Sequence, residues 1–523
     1  MRKGEKNMNK EAPRASGYSE TGASLNRRAL RGFRPDSGAP AKDINNNLSV
    51  LRQRSRMLFM SSPLATSAIN TQRTKIIGTG LTLKSAIDRE RLGLSPDDAK
   101  AWQKKTEAEF KLWAGSRNCD ALGLNDFVGL QQLAVKSWLL SGDVIAVVKR
   151  ANATPLAPYS MRLHLIEADR VSTPDEYGLN DYLLSDTEGV VGEGKPGEGR
   201  HIYDGVEVDA DGRVTAYYIR DSYPGELKAE KTTWVRVEAV GEKTGLANVF
   251  HVMDSERPDQ YRGVPYLAQV IEPMLQLRRY TDATLMAANI QTMFTAFITT
   301  ETDQSEIPIN EVGESEYGGI PSEPPEGISR GENEYELGQG TIVHLAPGEK
   351  TQFANPSIPT PTFDNFTKVF AKLMGAALET PYDVLVKEFD ASYSASRGAL
   401  LEAWETIKMR RAWFVSDFCQ PVYETWLAEA VARGRIKAPG FFDDAAVRAA
   451  WSGAHWIGPV QGQLDPKKEV QAALAMAKYS IKTYEQITRE LGGGNWEENI
   501  NETDYEVGKL IQQENMRERG QMT

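Results

Sequence analysis

The residues able to do chemistry are spread along this chain, and their spacing decides what each could do. The nearest approach to a phosphate-binding loop is Gly189–Val–Val–Gly192–Glu–Gly194–Lys195–Pro196. It fits the GxxxxGK spacing, but Pro196 stands where a Ser or Thr hydroxyl must hold Mg²⁺. No strand leads in, and Pro196–Gly197 prevents the helix whose N-terminus would face the phosphates. Gly78–Thr–Gly80 lacks the third glycine and the following helix of a dinucleotide fingerprint. The five histidines, His164, His201, His251, His344 and His455, include no HxH pair and none four residues from another, so no histidine-based metal site is indicated. His164 and His251 fall in apparent strands and read as core or interface side chains. Ser394–Ala–Ser396 carries no local base signature. Cys119 and Cys419 are the only cysteines, too few for a disulfide framework. Cys419 lies in an apolar helical stripe and reads as a small buried thiol. Carboxylates are abundant, but no pair stands out without geometry. No catalytic, metal or cofactor constellation rises above background, so the chain reads as non-enzymatic, with no cofactor.

The elements around these residues suggest an assembly part. A chain of 523 residues, 40% hydrophobic and 25% charged, is long enough for more than one packing unit. The start is polar and basic, without the apolar core of a signal peptide. The stretch from Ala283 to Thr300 holds too much Thr, Asn and Gln for a membrane span. The net charge of −11 argues against a simple nucleic-acid binder. The charge is unevenly placed: residues 1–60 carry 13 Lys/Arg against 5 Asp/Glu, whereas residues 300–340 carry 11 Asp/Glu against Arg330 alone. Residues 1–45 read as a flexible arm whose Arg27, Arg28, Arg31 and Arg34 suit phosphates, an acidic partner or plain solvation.

Periodicity predicts helix from Ile44 to Thr71, a bent strand or strand pair over Ile76–Leu83, and helices near Pro96–Leu112 and Asp126–Ser141. Residues 142–255 read as β-rich, with strands at Val144–Val148, Met161–Ile166, Ala216–Ile219 and Val249–Val252. Helix returns over 265–298, with Pro273 ending or kinking its first part, and near Thr362–Leu378. A long helix runs from about residue 396 to 433, with Pro421 expected to bend it and Gly434 to end it. Residues 465–520 read as charged helices. The fold class expected is α+β.

The order of these elements resembles the portal proteins of tailed phages, and the second half is similar to the lambda-type portal family. The residues carrying the resemblance are Tyr261–Arg–Gly–Val–Pro–Tyr266, Leu378–Glu–Thr–Pro–Tyr–Asp–Val–Leu385 and Ala391–Ser–Tyr–Ser–Ala–Ser–Arg397. Trp451 through Trp456–Ile–Gly–Pro459, Leu464–Asp–Pro–Lys–Lys–Glu–Val470 and Ser480–Ile–Lys–Thr–Tyr–Glu485 complete the set. They cover roughly residues 250–500, and the N-terminal half resembles the family more weakly.

The resemblance implies a ring-forming portal fold, typically of twelve subunits, at one capsid vertex. Its parts would be a β-rich α+β wing (46–264), a first stem helix (265–298), an acidic clip (299–350) and a second stem helix (351–378). A tunnel-loop region (379–395), a long wing helix with its return segment (396–459) and a helical crown (460–523) would follow. The implied DNA-facing candidates are Lys387, Ser392, Tyr393, Ser394 and Arg397. The implied docking candidates on the clip are Glu311, Glu314, Glu316, Glu332, Glu334 and Glu336. The implied partners are copies of the chain, terminase, the major capsid protein and scaffold, head-completion or tail-connector proteins, and double-stranded DNA passing through, with no membrane. The implied location is the capsid portal vertex of the virion, and the host cytoplasm during assembly. The other reading is a different structural or scaffold protein of the virion head. Twelve acidic clips on a narrow ring would repel one another, so part of residues 303–335 is expected to move freely until a basic partner or cations bind.

Overall fold

The structure, a computed structural model, describes residues 28–30, 32, 33, 35, 38–175, 201–226, 232–293, 297–300, 349–352, 363–388, 393–462, 465–492, 494 and 496–518. It is a mixed helix-and-sheet protein. In chain order come α1 (Asn46–Ser61), α2 (Pro63–Ile76), β1 (Thr82–Ser85), α3 (Pro96–Ala114), α4 (Phe127–Ser141), β2 (Asp143–Arg150) and β3 (Met161–Glu167). Then follow β4 (His201–Tyr203), β5 (Val206–Val208), β6 (Val214–Arg220), β7 (Trp234–Glu238), β8 (Val249–Met253), α5 (Ile271–Met293), β9 (Phe297–Thr300) and β10 (Glu349–Gln352). The rest is helical apart from one strand: α6 (Phe363–Ala377), α7 (Tyr382–Val386), α8 (Tyr393–Phe414), α9 (Gln420–Ala432), α10 (Ala445–Ser452), β11 (Ala454–Ile457), α11 (Pro466–Lys478), α12 (Tyr484–Leu491) and α13 (Trp496–Glu518). The chain divides into two compact units: 1–57, 72–268 and 407–523 form the first, and 58–71 with 269–406 the second.

The first unit is built on two antiparallel sheets, β3-β2-β8 and β4-β5-β6-β7. Alternation along the strands sends one set of side chains into a shared core. Ile145, Val147, Ile166 and Val249 from the first sheet meet Val206, Val208, Tyr217 and Ile219 from the second. A second, aromatic core lies under α3, α4 and α9. Phe110 stands edge-on to Trp426 at 5.1 Å and to Tyr423 at 5.7 Å, and Phe127 stacks on Phe418 at 5.8 Å. Such ring pairs add to the apolar burial. β1 pairs with β11, so residues 82–85 are held by a strand some 370 positions later in the chain.

Local chemistry explains where helices begin and end. Ser95 caps α3 by accepting from the Asp98 N–H at 3.1 Å, with Pro96 at the first helical position. Asp126 caps α4 by accepting from the Gly129 N–H at 2.8 Å. Gly142 ends α4 with φ of 90°. A side chain is excluded there: a Cβ on Gly142 would lie 2.2 Å from the Gly263 carbonyl oxygen.

Two expectations are corrected. Ile76 and Ile77 are not strand: α2 ends at Ile76, the chain turns through Gly78 and Gly80, both at positive φ, and strand begins at Thr82. A Cβ on Gly78 would fall 2.3 Å from Pro459, so close packing, not a phosphate, occupies this glycine pair. Pro273 neither ends nor kinks α5; it sits third in the helix, where its missing N–H has no intrahelical partner to lose. Ahead of Pro421 the helix opens into a π turn over Val415–Cys419, which takes up the missing hydrogen bond between α8 and α9. Gly434 follows at φ of 70°, as expected of a helix stop.

The second unit contains α5, the β9–β10 pair, α6, α7 and α8 up to residue 406. Tyr280 of α5 stacks on Phe363 at 5.5 Å and meets Phe366 at 4.6 Å, which docks α6 on α5. Ala371, Met374 and Gly375 form the buried stripe of α6, and Leu378, Val384 and Leu385 continue it across the turn into α7.

Candidate functional site

Two motifs singled out in the sequence have definite structural work. The first is Tyr261–Arg–Gly–Val–Pro–Tyr266. Arg262 is fully buried and spends its guanidinium on six acceptors, one of them the Asp204 carbonyl. Nε donates to Asp143 Oδ2 at 2.7 Å, and Nη2 to Asp143 Oδ1 at 3.3 Å and the Ala168 carbonyl at 2.8 Å. Nη1 donates to the Val171 carbonyl at 2.8 Å and to Asp204 Oδ2 at 2.9 Å. Arg52, also buried, approaches Asp143 at 3.5 Å and Asp204 at 3.6 Å and donates Nε to the Ser141 carbonyl at 3.0 Å. His251 stands between Asp143, at 3.5 Å, and the Tyr217 hydroxyl, at 3.4 Å.

This arrangement joins α1, the end of α4, β2, β8, the β3 exit and the 261–266 segment at one point. Burial by itself would raise the Asp143 carboxyl, but Arg262 and then Arg52 hold it well below the usual carboxylate range. A charge this deep is tolerable only when paired and hydrogen-bonded, and here both conditions are met. The flanking residues tighten the same joint. Gly263 crosses Gly142 so closely that a Cβ would fall 1.9 Å from the Gly142 carbonyl oxygen. Tyr261 donates its hydroxyl to the Gly212 carbonyl at 2.9 Å and stacks on Tyr203, and the Arg410 guanidinium lies 4.7 Å over the Tyr266 ring.

The second motif, Leu378–Glu–Thr–Pro–Tyr–Asp–Val–Leu385, is a helix–turn–helix corner. α6 stops with a double closure: the Thr380 N–H reaches the Gly375 carbonyl at 2.9 Å and the Glu379 N–H reaches Ala376 at 3.2 Å. Glu379 occupies the left-handed position at φ of 49°, where glycine is the usual residue. Pro381 precedes α7 with its φ preset at −53°. Tyr382 donates its hydroxyl to Glu388 at 2.7 Å, and burial followed by that carboxylate pushes the phenol up to about 12. Lys368 bridges Asp364 at 3.2 Å and Glu388 at 3.6 Å, and Lys372 stands 5.9 Å from the centre of the Tyr382 ring. The Ser67 hydroxyl donates to the Leu385 carbonyl at 2.8 Å.

Against the candidates named from the sequence, Lys387 is exposed and ends α7 in the left-handed region, at φ of 61°. Tyr393 and Ser394 begin α8. Arg397 is half-buried one turn further on and has interactions of its own. Ser392 lies outside the described residues, as do Glu311, Glu314, Glu316, Glu332, Glu334 and Glu336. The lysines beside the corner, Lys368 and Lys372, were missed; the signal was an Asp364–Lys368–Lys372 row at i, i+4 spacing.

Elsewhere the side chains serve the fold. Glu429 of α9 accepts from the Ser160 N–H at 2.6 Å, the Met161 N–H at 3.0 Å, Arg150 at 2.7 Å and Arg433 at 2.6 Å. Arg411 closes the end of α2 by donating to the Ile76 and Lys75 carbonyls, and burial lowers its guanidinium to about 10. Cys419 is buried, as its apolar stripe suggested. His164 is half-buried, which lowers its pKa. His344 and the Gly189–Lys195 segment lie outside the described residues. So does Gly327–Ile–Ser–Arg–Gly331, which has the letters of a nucleophile elbow in a stretch without strand pattern. Among the described residues no three His, Cys, Asp or Glu side chains gather to hold a metal, and no helix is long and apolar enough to cross a membrane.

Comparison with known proteins agrees with the motif order. The profile of the phage portal protein, lambda family, matches residues 26–411. The chain belongs to the lambda family of phage portal proteins. It is similar to the portal protein of Escherichia phage N15, at 25% identity over 476 residues, 88% of this chain and 85% of that protein. It is also similar to portal protein B of Escherichia phage lambda, at 23% identity over 478 residues, 88% and 84% of the two chains. Among solved structures it is similar to a chain from the neck of a native GTA particle computed with C12 symmetry. There the TM-score is 0.42 at 11% identity, covering 86% of this chain and 94% of that one. The family match starts well before the motifs that suggested it and stops before Trp451, so the N-terminal half belongs to the likeness more fully than its motifs implied. Family membership makes this a structural head–tail connector protein of a phage virion, not an enzyme.

Proposed function

We propose that the chain is one subunit of a closed ring, twelve copies by family resemblance, at a single capsid vertex. The ring is the channel for double-stranded DNA during packaging by terminase and during ejection, and a platform for head-completion proteins. Assembly takes place in the host cytoplasm, where the ring meets the major capsid protein and scaffold. The observation that carries this reading is the family match across residues 26–411. In this reading residues 46–264 build the wing, 265–298 and 351–378 the stem, 299–350 the clip, 379–395 the tunnel loop, 396–459 the long wing helix and return, and 460–523 the crown.

The charge supports a channel over a clamp. Strong phosphate contacts would hold DNA in place, and a net charge of −11 avoids them. Within the tunnel-loop region, at the end of α7, Lys387 offers a cation from a strained backbone position, while Lys368 on α6 is already committed to Asp364 and Glu388. Light brushing of the DNA backbone fits such a layout. The clip carboxylates would meet a basic surface on terminase or a head-completion protein. Mass photometry with negative-stain imaging of the purified full chain tests this: rings with a central hole are expected, and a chain that is monomeric under every assembly condition contradicts it.

A further inference from the structure

The C-terminal helices bury almost nothing within one chain. Among the described side chains of α11, α12 and α13, Ala473 alone is buried. α12 is well formed, with Thr483 and Gln486 capping each other's backbone, and Tyr484 stacks on Trp496 at 6.1 Å. That stack and a few turns of contact leave two helix faces uncovered.

On α11, Lys467, Val470, Gln471, Leu474 and Lys478 recur at helical spacing and are all exposed, Leu474 by 51%. This face is an apolar centre with a cation at each end. On α13, Ile500, Asp504, Val507 and Ile511 recur on one face and are likewise exposed, Ile511 by 53%. Lys467 to Lys478 and Ile500 to Ile511 are each twelve residues, about 16 Å of helix from first to last. Their charges are opposite: α11 carries three lysines against Glu469, whereas α13 carries seven Asp/Glu against Lys509 and Arg517.

We infer that the α11 face of one subunit receives the α13 face of the neighbouring copy. The inference rests on the ring reading given above. Two different faces of one chain that complement each other in length, apolar content and charge make a head-to-tail contact, the kind that closes into a ring when repeated. In a closed ring every copy then covers both faces at once. Nucleic acid is a poor occupant, since α13 is strongly acidic and would repel phosphate.

The test uses the full chain, with oligomer size followed against concentration by mass photometry. Leu474→Asp and Val507→Asp should each raise the concentration needed for assembly by at least ~10-fold. Both positions are exposed, so the circular dichroism spectrum of the subunit should not change. Lys467→Glu with Lys478→Glu should weaken assembly likewise and remove part of its salt dependence, and adding Asp504→Lys to that pair should restore assembly in part. Wild-type rings indifferent to all these substitutions would overturn the contact and leave the ring reading standing. A wild-type chain that forms no ring would overturn the ring reading and the contact with it.

Discussion

Replacing Arg262 by Met tests the buried ion network directly. The substitution keeps most of the volume and removes every donor to Asp143 from this side. What remains near the Asp143 carboxylate is Arg52 at 3.5 Å, His251 at 3.5 Å and the Gly263 N–H at 3.1 Å. Stripping one partner from a buried pair costs about 3–5 kcal/mol, and the surviving Arg52 places this case toward the lower end. The Val171 and Ala168 carbonyls lose donors as well, adding ~1 kcal/mol each. The expected loss is therefore ~5 kcal/mol, or a fall in melting temperature of roughly 6 °C for a unit of this size.

The deficit should also depend on pH. In the wild type the folded Asp143 carboxyl lies well below its unfolded value near ~3.9, so its contribution is complete above that pH and is lost as pH falls through the lower folded value. Without Arg262 the effect of burial grows relative to the remaining cations, and the carboxyl moves upward. The variant's deficit should then be larger at pH 7 than at pH 4.5, where Asp143 can take up a proton. Pairing Arg262→Met with Asp143→Leu should be less damaging than the sum of the two single changes. Thermal melts at fixed protein concentration, monitored by tryptophan fluorescence, give all these numbers. A single-variant loss under ~1 kcal/mol, or strict additivity of the pair, would refute the reasoning.

The same joint predicts that Gly142→Ala costs at least ~3 kcal/mol, because the φ of 90° and the Gly263 carbonyl at 2.2 Å are both incompatible with a Cβ; a melt within 2–3 °C of wild type would contradict this. At the α6–α7 corner, Glu379→Gly should stabilise by ~1 kcal/mol by relieving the left-handed backbone, whereas Gly375→Ala should cost ~2 kcal/mol because its Cβ would press on the Thr380 carbonyl at 2.6 Å; limited proteolysis and melting curves give both signs. Burial pushes the Cys119 thiol up to about 12 and holds Cys419 well above the ordinary range, so neither should react with a thiol reagent at pH 8 until the chain is denatured; one equivalent of rapid labelling in the native protein would count against that packing.

What the sequence made legible was local. The strands at Val144–Val148, Met161–Ile166, Ala216–Ile219 and Val249–Val252 were readable because their patterns are short and β-branched or aromatic. α3 and α4 were readable because Ser95–Pro96 and Asp126 are explicit start signals. Ile76–Leu83 misled because Ile76, Ile77, Leu81 and Leu83 are all buried, and a short apolar run looks alike in a helix end and in a strand. The π turn ahead of Pro421 has no residue signature of its own. The Arg262 network was invisible for a different reason: its members, Arg52, Asp143, Asp204 and His251, lie far apart in the chain, and only tertiary folding brings opposite charges to one buried point. The motif around Arg262 was recognisable as a string of letters long before its physical role could be stated. Lys387 shows the converse: its type suggested a role beside DNA, but only the backbone shows that it sits in a left-handed corner.

The central claim, that this family member closes into a ring around DNA, is tested most directly by imaging the purified full chain by electron cryomicroscopy and counting subunits in end-on views. Closed rings of one rotational symmetry are expected, twelve copies being the expected number, with an open central channel wide enough for a DNA duplex. Monomers at every concentration, or shells and sheets with no central channel, would contradict it.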